Sequence, residues 1–199
     1  MMMLPFNEQL RRITVSGPIR EEASALFMEQ ITALEVVDVG KPISVYIDTY
    51  GGSVDSALCM YDIMKACACP IITVGVGKVM SAGVLLLAAG EHGYRFITEN
   101  TRVMIHEISS GVMGSVSEME SSVKEARRMQ EVYLEILSKE SGVNRDRLLK
   151  DMKAETYMSA AEAVKYGIAD KLVPTRKITK KLNLVKEPVN RAKKTIKKK

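Results

Sequence analysis

The sequence is poor in the residues that staple, ligate or anchor a chain. Its 199 residues include three cysteines, Cys59, Cys67 and Cys69, and two histidines, His92 and His106. The cysteines form no Cys-x-x-Cys pair and fall at no metal-ligand spacing with the histidines. Neither a disulfide framework nor a metal site is therefore expected, and an odd thiol count suits a reducing compartment. No apolar run reaches the roughly 18 to 20 residues of a membrane span. The opening stretch MMMLPFNEQLRR lacks the charged-then-apolar order of a secretory signal. Together these absences predict a cytoplasmic protein with free thiols, no membrane association, no metal and no cofactor.

What is present suits a single globular domain, since 46% hydrophobic residues over this length can bury a sizeable core. The net charge of +5 conceals an asymmetry. Residues 175–199 carry eleven Lys or Arg against the single acid Glu187, a local +10, which leaves −5 on residues 1–174. The segment KITKKLNLVKEPVNRAKKTIKKK holds too few large apolar residues to pack, so a domain over 1–174 is expected to be followed by a disordered basic extension over 175–199. Such a tail either keeps the particle soluble or docks electrostatically on nucleic acid or an acidic partner.

Apolar periodicity switches between two and about 3.6 along the chain, the mark of an α/β domain. RRITVSG, KPISVYIDT and PIITVGVG read as strands, separated by the helical stretches EEASALFMEQITALEVV and DSALCMYDIMKACA. An apolar helix follows Ser81, then short strands in YRFITEN and TRVMIHEI. SVSEMESSVKEARRMQEVYLEILSKESG reads as a long charged helix, and NRDRLLKDM and SAAEAVKYG as helices capped by Asn144 and Ser159.

Three places look chemical, all at strand ends or helix starts. In YIDTYGGSVDSA, paired glycines at a strand-to-helix turn expose backbone N–H groups beside the positive end of a helix, although ordinary turn chemistry uses the same residues. In GKVMSAGVLLLAAG, Ser81 stands at a helix start, where a cap is the commonest role, but Ala82 and Gly83 behind it leave the backbone open. In RVMIHEISSG, His106 closes an apolar strand, whereas His92 in the loop EHGYR reads as a surface residue.

Taken in order, the Gly51–Gly52 pair, Ser81 and His106 carry more than any one alone. The runs YIDTYGGSVDSALCMYDIM, VGKVMSAGVLLLAAGEHGYRFITENTRVMIH and YMSAAEAVKYGIAD resemble the ClpP family of self-compartmentalising serine proteases over about residues 10–174. The resemblance implies an α/β, ClpP/crotonase-like fold of repeated β-β-α units with a long handle helix. It implies a serine endopeptidase acting on peptides or unfolded proteins inside homo-oligomeric chambers of heptameric rings, in a tetradecamer, served by an ATP-dependent AAA+ unfoldase. Ser81 matches the nucleophile and His106 its general base. Gly52 and Ala82 offer oxyanion N–H groups, and Gly51, Gly52, Ser53 and Val54 with Ile108, Ser109, Ser110 and Gly111 match the strands that pair with substrate. Ungapped alignment of YMSAAEAVKYG puts Glu155 where the family carries an aspartate, with Asp151 one turn earlier as a rival. Glu107 and Ile108 replace the usual Gln-Pro after the histidine. Other readings of the residues are an inactive ring subunit of the same family and a crotonase-type acyl-CoA enzyme sharing the broader fold.

Overall fold

A computed structural model describes residues 6–7 and 10–173; the basic extension expected over 175–199 lies outside the described residues. The elements in chain order are β1 (Phe6–Asn7), β2 (Arg12–Ser16), α1 (Glu21–Val37), β3 (Ile43–Thr49), α2 (Val54–Ala66), β4 (Ile71–Met80) and α3 (Gly83–Ala88). They continue with β5 (Arg95–Ile97), β6 (Arg102–Ile105), α4 (Val116–Ser141), α5 (Arg145–Lys153), β7 (Thr156–Ser159), α6 (Ala160–Tyr166) and β8 (Lys171–Leu172).

Strict alternation in β2 and β3 buries Ile13, Val15, Ile43, Val45, Ile47 and Thr49 on one face of the sheet. Phe27, Ile31 and Leu34 of α1, Met60 and Met64 of α2, and Val84 to Ala88 of α3 pack into one cluster with that face. A helix apolar on all sides must be enclosed. The short run GVLLLA accordingly lies inside the molecule rather than on it.

The strands β2, β3, β4, β5 and β8 form a parallel array, with β1 antiparallel at its edge. The strand β4 is where the sheet divides. Its early part, Thr73–Gly75, pairs with β5, while its last residues, Lys78–Met80, pair parallel with β6. The division needs slack, and β4 has it: Ile47 faces Gly75 but Thr49 faces Val79, so β4 carries two extra residues around Gly77, whose φ is +64°. The branch through β6 continues antiparallel into β7. The C-terminal ends of β4 and β6 therefore come side by side.

The long helix α4 divides into two halves of different character. Val116, Met119 and Val123 are exposed, while Tyr133, Leu134 and Leu137 are buried in the core. A Ser115 capping box starts the helix and Gly142, with left-handed backbone, ends it. Arg95 clasps its C-terminus, donating to the Glu140 carbonyl at 2.8 Å while holding Asp170 through two side-chain bonds of 3.0 and 2.6 Å. Glu140 is itself buried and accepts from the Tyr61 hydroxyl at 2.7 Å, with Lys65 and His92 beside it. His92, which reads as an incidental surface residue in the sequence, thus contacts a buried carboxylate.

Burial alone would raise the pKa values of Asp170 and Glu140, but hydrogen bonds and charges from Arg95, and from Tyr61, Lys65 and His92, outweigh it and hold both below the usual carboxylate range. Groups lowered on folding stabilise the native state above the unfolded carboxylate range near pH ~4, and that contribution is lost as pH falls through the lowered values. Melting temperature is expected to hold steady near neutrality and to fall in acid. Asp170→Asn, which leaves Arg95 without its counter-charge, should cost about 3 kcal/mol at neutral pH and flatten the acid limb. An acid limb of unchanged steepness in the variant would contradict this account.

Candidate active site

Ser81 sits in the two-residue turn between β4 and α3, with φ of +52°. Ala82 occupies the helix N-cap position and no side chain caps the helix. The serine hydroxyl is therefore free of the capping role that its position suggests. Left-handed backbone at a non-glycine residue costs about 1–2 kcal/mol. Three bonds hold it there: Ser81 N–H donates to the Met104 carbonyl, and the Ser81 carbonyl accepts from Val84 N–H and from the Tyr133 hydroxyl, each at 2.9 Å.

Two glycines let the neighbouring chain reach this turn. A methyl group at Gly51 would stand 2.7 Å from Ser81 Cβ and 3.0 Å from Ala82 N, at a φ of +99°. One at Gly83 would meet Thr49 Cγ2 at 2.4 Å. Thr49 ties the loop further, donating to the Gly17 carbonyl at 2.5 Å and accepting Gly51 N–H at 2.9 Å. Ile19 takes one edge of the glycine segment, with Ile19 N–H on the Gly51 carbonyl and Ser53 N–H on the Ile19 carbonyl, both at 2.9 Å. Among the described residues, the N–H groups of Gly52 and Ala82 donate no hydrogen bond.

His106 follows directly after β6, whose Met104 pairs with Met80 of β4. The shared strand end brings the imidazole to the serine, and His106 Nε2 lies 2.7 Å from Ser81 Oγ. Both residues are half-buried. An Nε2 that accepts the serine proton requires the proton of the neutral ring on Nδ1, and hence an acceptor beyond it.

The two carboxylates considered for that place differ in their surroundings. Asp151 is engaged elsewhere, accepting the Tyr166 hydroxyl at 2.8 Å and facing Arg147 at 3.6 Å. Glu155 lies at the turn into β7, with φ of +51°. The antiparallel ladder ends with Ile105 opposite Thr156, so the next step of the register sets His106 opposite Glu155. Directly opposed residues of an antiparallel pair share one face of the sheet. The Glu155 carboxylate here accepts a 3.2 Å bond from the Tyr157 hydroxyl, and neither carboxylate contacts His106. That bond raises the Tyr157 pKa.

The remaining positions fall on both sides of this centre. Ser53 caps α2 through Ser56 N–H, and Val54 is the first helical residue. Residues 108–111 form no regular element, and Ser109, Ser110 and Gly111 are exposed. Ile108, unlike a proline, has an N–H to satisfy, and Gln130 Oε1 of α4 accepts it at 2.7 Å. Tyr133, Gln130, Tyr157 and Thr49 were not marked as site residues by the sequence. For Tyr133 a signal existed, an aromatic hydroxyl beside Leu134 and Leu137 on the apolar stripe of an otherwise charged helix, because a buried tyrosine needs a partner for its O–H.

A hydroxyl on a strained strand-to-helix turn, hydrogen-bonded to an imidazole and flanked by unengaged backbone N–H groups, is the apparatus of serine hydrolases. The sequence matches the Clp protease family over residues 6–176. It is also 32% identical over 168 residues to the ATP-dependent Clp protease proteolytic subunit 2 of Treponema pallidum (strain Nichols), covering 84% of this chain and 84% of that protein. The chain belongs to the Clp protease family, a serine protease of the ClpP type with the ClpP fold.

Gly51 gives the most direct test of how the turn is packed. Gly51→Ala adds a methyl into Ser81 and demands a left-handed alanine, so peptidase activity should fall at least 100-fold, the scale of a misplaced reacting group. Activity within threefold of the unmodified protein at equal melting temperature would show that the turn tolerates displacement.

Proposed function

We propose that this chain hydrolyses peptide bonds with Ser81 as nucleophile, His106 as general base and Glu155 as the acid that orients the imidazole. The observation that carries the reading is the 2.7 Å contact between Ser81 Oγ and His106 Nε2 beside the Gly51–Gly52 loop. Ser81 Oγ attacks the scissile carbonyl carbon as its proton passes to His106 Nε2. The carbonyl oxygen gathers negative charge and is met by Gly52 N–H and Ala82 N–H, which have no acceptor to leave among the described residues. The imidazolium then protonates the departing amine, the C–N bond breaks, and an acyl-Ser81 ester remains. Water, deprotonated by the same imidazole, releases the acid and restores the serine. An extended substrate pairs with backbone near Gly51–Val54 on one side and Ile108–Gly111 on the other.

Glu155 is favoured over Asp151 because the β6–β7 register points to it and because Asp151 is already committed to Tyr166. For the orienting role its carboxylate exchanges the Tyr157 hydroxyl for His106 Nδ1–H. The exposed apolar residues Val116, Met119 and Val123 on the first half of α4 support assembly into stacked heptameric rings, which would enclose the Ser81 sites and admit only unfolded or short chains. An AAA+ unfoldase partner and a cytoplasmic location complete the proposal; among the described residues no helix is long and apolar enough to cross a membrane.

Hydrolysis of a fluorogenic peptide by the oligomer tests the assignment. Ser81→Ala should abolish turnover without loss of fold, because the hydroxyl caps nothing. Glu155→Gln should lower kcat by a factor on the order of 10²–10⁴, as loss of an orienting carboxylate does, and Asp151→Asn by less than about threefold. The reverse ranking moves the orienting role to Asp151. A wild-type assembly that cleaves nothing identifies the chain as an inactive ring subunit.

A further inference from the structure

The peptide unit between Ser81 and Ala82 carries two functions at once. Its nitrogen, Ala82 N–H, is one of the two donors for the developing oxyanion, and its oxygen is the Ser81 carbonyl, which accepts the Tyr133 hydroxyl at 2.9 Å. A peptide group is planar, so whatever fixes the carbonyl oxygen also fixes the direction of the N–H on its far side. We infer that Tyr133 of α4 is a positioning residue for the oxyanion hole: its hydroxyl clamps the Ser81 carbonyl and thereby aims Ala82 N–H at the reacting carbonyl. This rests on the assignment of Ser81 as nucleophile.

Several observations converge on Tyr133. It is 2% exposed and belongs to the hydrophobic core. Among the described residues its hydroxyl makes one hydrogen bond, to the Ser81 carbonyl. Burial raises its pKa, which keeps the phenol protonated and able to donate throughout the neutral range. The carbonyl it grips belongs to the one residue of the turn with left-handed backbone, where the chain has most to gain by relaxing. Val84 N–H, the other donor to that oxygen, comes from α3 itself and moves with the turn. Tyr133 is the donor that refers the turn to a separate element. An N–H donor whose carbonyl accepts a hydrogen bond is also the more polarised for it.

The oxyanion exists only in the transition state and the tetrahedral intermediate, so a fault in aiming should lower kcat and spare KM. Tyr133→Phe keeps the ring and removes the hydroxyl. Per active site titrated in the assembled enzyme, its kcat should fall about tenfold, the worth of one neutral hydrogen bond, with KM within about twofold. A peptide boronic acid, which forms a tetrahedral adduct on the serine, should bind about tenfold more weakly in parallel with kcat. Leu134→Ala is the control for general loosening of α4: it should lower melting temperature yet leave kcat per titrated site within about twofold of the unmodified value. Tyr133→Leu should reproduce the kcat loss of the phenylalanine variant at a lower melting temperature. The inference is overturned if Tyr133→Phe, or Tyr133→Leu where the phenylalanine variant does not fold, keeps kcat and boronate affinity. It is equally overturned if Leu134→Ala matches their losses. Failure of the unmodified enzyme to titrate would instead remove the Ser81 assignment beneath it.

Discussion

The turn at Ser81 runs left-handed between a strand and a buried helix, and much of the surrounding architecture follows from keeping it so. Gly51 must lack a side chain for the glycine loop to lie against it, and Gly83 must lack one for α3 to start over Thr49. Met104 and Tyr133 contribute a backbone carbonyl and a hydroxyl from two other elements. A strain of about 1–2 kcal/mol is small beside the packing of the core, yet in isolation it is enough to favour a relaxed turn by roughly 5- to 30-fold. The glycine loop, β6 and α4 thus all bear on the one turn at Ser81.

Bringing the histidine to that turn is the work of β4. A uniformly parallel sheet would keep β6 away from the end of β4, with β5 in between. The two extra residues around Gly77 let β4 leave β5 and pair its last residues with β6 instead. The same branch delivers β7, and with it Glu155, to the far side of His106. Ser81, His106 and Glu155 therefore come together through a single irregularity in one strand. The helix α4 joins this arrangement to the outside, since its buried half carries Tyr133 and Gln130 to the site while its exposed half offers Val116, Met119 and Val123 to whatever surface the chain meets.

The main elements were legible in the sequence because their periodicity reports burial. The boundaries of α1 coincide with the quoted helical stretch, and the alternation in β3 matches its buried face. The unbroken run GVLLLA signals enclosure for the same reason. Three features left no such trace. The strands β1, β7 and β8 hold two to four residues each, too few for alternation to show, and β7 merges in sequence with the helix that follows it. The reach of β4 to Met80 depends on a bulge that glycine allows but does not announce. Tyr133 and Gln130 meet Ser81 and Ile108, 52 and 22 positions away, and no local pattern encodes which residues those are. The order of the glycine pair, Ser81 and His106 was readable; that a hydroxyl from the charged helix supports the serine was not. The register that sets Glu155 opposite His106 likewise shows only in the pairing of β7 with β6.

All of this turns on one chemical claim, that Ser81 is an activated nucleophile. Treating the intact protein with a fluorophosphonate and mapping the adduct by peptide mass spectrometry tests it most directly. The account predicts a single covalent adduct on Ser81, lost in His106→Ala, because only a serine relieved of its proton reacts at such a rate. An unmodified Ser81, or labelling that proceeds equally well without His106, would contradict it.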